Sequence, residues 1–171
     1  MNLMNLGFIF NKNRKFSPMK KHVVNQARKA LFCLYTKIRN LDLSIACQLK
    51  LFDNLVVPIL TYGCEIWGVG DLSGIEKVQT DFFKRILKVK QSTPSVMLYG
   101  DLGRVSLSIS IKKRVIGYWY DIINSDNELS SILYRLILQY SVHTGHSYEW
   151  LKFVKTIFND SGHLYVAESI L

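Results

Sequence analysis

The segment from Leu49 to Gly68 limits what this chain can fold into more than any other stretch. Its apolar residues fall at 49, 52, 55, 56, 59, 60 and 66, a helical period that asks for one wide buried face. Pro58 lies inside this pattern. It removes a backbone donor and crowds the preceding turn, so the segment predicts a central core helix kinked near Asn54. Gly63 and Gly68 then allow the backbone to turn or to pack closely. Asp53 and Glu65 have no partner at catalytic spacing within the segment. Its residues predict architecture and no chemistry.

Helical patterning continues on both sides. Upstream, Phe8 to Phe10 extend an apolar run from Leu6 that suits a strand with no partner, and 11–16 read as a polar turn. Ser17 and Pro18 open a helix whose apolar residues at 23, 24, 27, 30, 31, 34 and 38 carry it to Asn40. Asp42 or Ser44 can cap the central helix. Beyond Gly68-Val69-Gly70, Asp71 or Ser73 starts a helix with an apolar stripe through Ile75, Val78, Phe82, Phe83, Ile86 and Leu87. Its polar face holds Lys77, Lys84, Arg85, Lys88 and Lys90. A short helical turn starts at Thr93-Pro94 and ends near Gly100 or Gly103. Ser106 opens a helix through Ile109, Val115, Ile116, Trp119, Ile122 and Ile123, with Lys112, Lys113 and Arg114 outward. Two more helices are expected at 129–140 and 148–158, with Gly162 as a breaker and a further element starting near Tyr165. The fold class expected is all-α, a compact helical bundle with a short N-terminal strand-like arm. The divisions are 1–16 for the arm, 17–124 for the bundle and 125–171 for a truncated C-terminal helical extension.

Charge is distributed unevenly. Residues 1–50 hold ten Lys and Arg against one acid, Asp42, whereas residues 51–171 hold twelve of each sign. The whole net charge of +9 is therefore N-terminal, and such a field attracts a polyanion, foremost nucleic acid. A solvated face awaiting an acidic neighbour is the bland alternative. The candidate backbone-binding residues are Lys20, Lys21, Arg28, Lys29, Lys37 and Arg39, with Lys84 and Arg85 downstream. Lys12, Arg14 and Lys15 of the arm belong to the same excess.

Other classes find less support. No apolar run approaches the roughly 20 residues of a spanning helix, and the first ten residues lack a basic flank and cleavage site. The expectation is an intracellular protein, cytoplasmic or nuclear, without membrane contact. Cys33, Cys47 and Cys64 are far apart within apolar patterns and suit reduced core thiols. His143, His146 and His163 match no zinc spacing and read as loop histidines. The Tyr99–Arg104 run lacks the Lys-Ser or Lys-Thr of a phosphate loop and reads as a turn. No catalytic residue, metal ligand or cofactor is assigned.

Residues 48–68 resemble the thumb region of reverse transcriptases from non-LTR (LINE-type) retrotransposons. Ala27-Arg28-Lys29-Ala30-Leu31, Lys37-Ile38-Arg39, Ile75-Glu76-Lys77-Val78-Gln79, Phe82-Phe83-Lys84-Arg85-Ile86-Leu87, Ser92-Thr93-Pro94 and Leu98-Tyr99-Gly100-Asp101-Leu102-Gly103-Arg104 follow in the family's order. The likeness is best over residues 20–120. It implies a polymerase-thumb-like bundle gripping an RNA–DNA hybrid or duplex by its backbone, with residues 6–10 resembling the last strand of a palm subdomain that would be its partner. The family's aromatic-small-Asp-Asp turn has no match in the chain. Since two-metal polymerase chemistry needs paired carboxylates, the chain is expected to be no enzyme on its own, although derived from an RNA-directed DNA polymerase. A second hypothesis is a helical scaffold that binds a protein through Trp67, Tyr118, Trp119 and Trp150.

Overall fold

The computed structural model describes residues 2–5, 7–11, 16–125, 128–144 and 148–163. The expected elements at Leu6, 12–15, Gly145-His146 and 165–171 lie outside the described residues. The chain is an all-α bundle carrying a small N-terminal hairpin. In the hairpin, β1 (Asn2–Asn5) pairs antiparallel with β2 (Phe8–Asn11), so the strand expected to stand alone has a partner. The half-buried Phe8 ring lies against the turn at Gly63, where φ is +61° and an added Cβ would fall 2.2 Å from Phe8 Cζ. Only glycine satisfies both the backbone angle and that contact.

The first helix, α1 (Ser17–Ile38), buries Met19, Val23, Ala27, Leu31 and Leu34. The central segment departs from expectation. Instead of one kinked helix it forms α2 (Ile45–Leu55), α3 (Val57–Thr61) and α4 (Cys64–Trp67). Ser44 caps α2 by accepting the Cys47 amide at 3.3 Å. The break falls at Val56, because Pro58 occupies the first turn of the new helix, where a missing amide costs nothing. The offset rotates the apolar face: Leu49, Phe52, Val56 and Leu60 are buried, while Leu55 is 51% exposed and Ile66 41%. Both had been expected in the core.

Next, α5 (Ser73–Ile86) begins where the Asp71 carboxylate accepts the Ser73 amide at 2.9 Å. After it, α6 (Ser95–Leu102) ends at Gly103, whose φ is +58°, so the expected Tyr99–Arg104 turn is helical until its last two residues. The long α7 (Leu107–Ile123), capped by Ser106, buries Leu107, Ile111, Val115 and Trp119. Ile109 and Ile123 face water instead; the stripe assigned from sequence was rotated. Gly68 lets α4 close on α7, since a Cβ there would fall 2.5 Å from Ile111 Cγ2. The chain continues through α8 (Glu128–Thr144) and α9 (Glu149–Asp160), whose Leu151 and Val154 join the same core.

A run of rings forms the centre: Tyr35 on Phe82 at 6.3 Å, Phe82 on Phe52 at 4.3 Å, and Phe83 edge-on to Tyr99 at 5.9 Å. Such pairs add roughly 0.5–1.5 kcal/mol each beyond buried area. They lock α1, α2, α5 and α6 together. Of the three thiols only Cys64 is in the core; Cys33 is exposed and Cys47 half-buried, because each sits at the edge of its helix's apolar face.

Candidate nucleic-acid interface

Packing α1 against α5 buries one face of each and leaves a groove between their outer edges. Its volume is about 870 Å³. Five basic residues line it, Arg28 from α1 and Lys77, Lys84, Arg85 and Lys88 from α5 and its C-terminal turn, against the single carboxylate of Asp81. Lys77 and Lys84 are seven residues apart and so share one side of α5 with Arg85 at its edge, and Lys88 joins them from the turn after the helix, where its φ is +53°. Two further hollows adjoin it. One shares Arg28 and adds Lys20, Lys21 and Asn25 with the carboxylates of Asp71 and Glu149; the other shares Phe32, Tyr35, Arg85 and Lys88 and adds Arg39. Together they make a trough along about 27 Å of α1, which at about 3.4 Å per phosphate matches roughly eight phosphates of one strand.

The sequence-derived candidates divide accordingly. Arg28, Lys84 and Arg85 line the groove, and Lys21 and Arg39 lie at its two ends. Lys20 lines the same hollow as Lys21, but its charge is committed to the fold. Its ammonium donates to the carbonyls of Val69 and, at 2.9 Å, Asp71, tying α1 to the loop before α5. Burial lowers its pKa, opposed by the charges of Asp71 and Glu149. Lys29 and Lys37 are exposed but line none of the three hollows; at 100° per residue Lys37 falls opposite Arg28 and Lys29 about a quarter-turn from it. Lys84 also donates to the Gln91 carbonyl at 2.6 Å, fixing the turn that closes the groove.

Four groove residues were missed as site residues: Lys77, Lys88, Phe32 and Tyr35. The lysines were visible as a polar helix face. The aromatics were not, since Tyr35 and Phe32 differ from core rings only in orientation. Tyr35 is half-buried, with Phe82 on one side and the Arg85 guanidinium 3.7 Å from its ring centroid. That cation–π contact holds Arg85 at the groove wall. Phe32 is 72% exposed, forgoing roughly 1.5–3 kcal/mol that burial would supply.

Three carboxylates outside the groove serve the fold. Asp53 pairs with Arg104 at 2.6 Å, and Glu65 accepts from Arg114 Nε at 2.8 Å. Glu76, on the side of α5 away from the groove, accepts from the Tyr99 and Ser106 hydroxyls and from the Ser108 amide at 2.8 Å. Beside it, Gln79 accepts the Leu107 amide at 2.9 Å and donates to the Val105 carbonyl at 3.1 Å. Together they satisfy the open amides at the start of α7 and place negative charge at its positive end. Burial works to raise the Glu76 pKa, but the hydrogen bonds from Ser106, Tyr99 and Ser108 outweigh it and hold it below the ordinary carboxylate value. The Tyr99 hydroxyl is pushed up by burial and by that carboxylate.

Among the described residues no group of three His, Cys, Asp or Glu side chains is placed to hold a metal, and no helix is long and apolar enough to cross a membrane. His143, expected in a loop, lies in the last turn of α8, because the apolar period of that helix runs on past Tyr140. Of the proposed partner-binding aromatics, Trp67 and Trp119 are buried, and only Tyr118 and Trp150 reach the surface. Trp67 donates to the Tyr62 carbonyl and Trp150 to the Glu65 carbonyl, both at 2.8 Å. No protein-family model, curated protein or solved structure matches the chain.

Proposed function

We propose that the chain binds the sugar-phosphate backbone of nucleic acid along the α1–α5 trough, as the thumb-like part of a reverse transcriptase of the non-LTR type. The observation that carries the binding reading is the excess of five cations over one acid in a groove walled by two helices. Backbone contacts need charge at intervals on a rigid support and no base-reading side chains. The α1–α5 pair has both features, and the ring stack beneath it keeps the support rigid. The origin in a retrotransposon polymerase rests on the resemblance of the motifs between residues 20 and 120. On this reading the chain lacks polymerase activity alone, because the Asp-Asp turn that holds two metal ions is missing from its sequence. Fluorescence anisotropy with an RNA–DNA hybrid and a DNA duplex tests the binding. Affinity that falls steeply with salt and ignores sequence is expected; absence of binding at low salt overturns the reading.

A second reading, a scaffold for a protein partner, is favoured by one feature. On α8 the side chains of Leu129, Ile132, Leu133, Leu136 and Tyr140 stand in water at helical spacing. A salt-resistant complex with a purified partner, lost on Leu133→Asp, would support it.

A further inference from the structure

We infer that Phe32 is a stacking platform for an unpaired base, so that the trough prefers single-stranded nucleic acid, or a single-stranded stretch beside a duplex, over a continuous duplex. The inference rests on the nucleic-acid reading above and names the class of ligand for the same site. Phe32 lies one helical turn after Arg28 and three residues before Tyr35, and all three line the groove. The two rings differ in what they offer. The Tyr35 ring already stacks with Phe82 and carries the Arg85 guanidinium 3.7 Å from its centroid. Phe32 has no ring stacked on it among the described residues and exposes 72% of its surface.

An open aromatic face within a cationic groove is the combination by which proteins hold single strands. Cations follow the phosphates, and a ring receives a base that is free to leave its stack. A duplex keeps its bases stacked on one another and exposes only their edges in the grooves, so Phe32 gains no stacking face from it. The groove also joins hollows at both ends that carry Lys21 and Arg39. A strand seated on Phe32 therefore meets Arg39 in one direction and, in the other, Lys21 in a hollow shared with the carboxylates of Asp71 and Glu149.

The test compares wild type, Phe32→Ala and Phe32→Trp for binding to a single-stranded oligonucleotide and to a blunt duplex with the same number of phosphates. Phe32 lies outside the core, so the melting temperatures of all three should agree. Phe32→Ala is expected to weaken single-strand binding about 5- to 100-fold and leave duplex binding unchanged, with Phe32→Trp restoring it. If Phe32→Ala binds both probes as the wild type does, or loses both equally, the platform is refuted while backbone binding stands. If the wild type binds neither probe in a salt-dependent manner, both readings fall.

Discussion

The α1–α5 trough and the outer face of α8 are both open to water, yet they are built from opposite materials. The trough presents cations and one open ring over a buried aromatic floor. The α8 face presents five large apolar side chains. Hydrophobic period alone does not separate these cases, because an apolar stripe obeys the same spacing whether it points inward or outward. Charge does, since a cluster of lysines and arginines stays at the surface in nearly any packing. The difference is why the proposed function is assigned to the trough, with α8 left as the surface where a macromolecular partner would gain by burial.

The largest expected contrast is in the floor against the open face. Phe82→Ala removes the ring shared by Tyr35 and Phe52 and should cost about 3–5 kcal/mol, whereas Leu133→Ala, half-exposed on α8, should stay within about 0.5 kcal/mol. Chemical denaturation measures both, and equal losses would mean that α8 is as much core as the ring stack. Next in size is the anchor on the far side of α5. Glu76→Gln should cost about 1–3 kcal/mol by weakening the hydrogen bonds that hold α7. Because the folded pKa of Glu76 is lowered, its contribution is fully present above its ordinary value of 4.5 and is lost as pH falls through the folded value. A pH series of stabilities should show a shallower acid limb for the variant. A smaller effect is expected at Leu55, which resembles the α8 residues in exposure: Leu55→Asp should cost less than about 1 kcal/mol. A loss of several kcal/mol would restore it to the core. Smallest in energy is thiol access. Iodoacetamide should modify Cys33 first and spare Cys64 until unfolding, because burial raises the Cys64 pKa to about 11.

Helix positions were legible because caps and breakers are local: Ser44, Asp71, Ser106 and Gly103 act where the sequence puts them. The facing of helices was less legible. Leu55, Ile66 and Ile109 keep a helical period and still face water, because the break at Val56 and the neighbours of α7 decide which stripe turns inward. At the site, Arg28, Lys84 and Arg85 were readable from charge, but the loss of Lys20 to two carbonyls 49 and 51 residues away was not. Nor was the pairing of α1 with α5 that gathers Lys77 and Lys88 beside them. Those facts depend on long-range packing, which leaves no local mark.

The central claim is that position in the trough matters and total charge does not. The direct test compares Lys77→Gln/Lys88→Gln, inside the trough, with Lys29→Gln/Lys37→Gln, on α1 but outside it. Each pair removes two positive charges from exposed side chains, so net charge falls equally. Affinity for a duplex is measured across a salt series by fluorescence anisotropy. The trough pair should flatten the slope of log affinity against log salt by about 1.8 units, at about 0.9 per lost phosphate contact, and the outside pair should leave it unchanged. Equal slopes for the two variants would contradict the account.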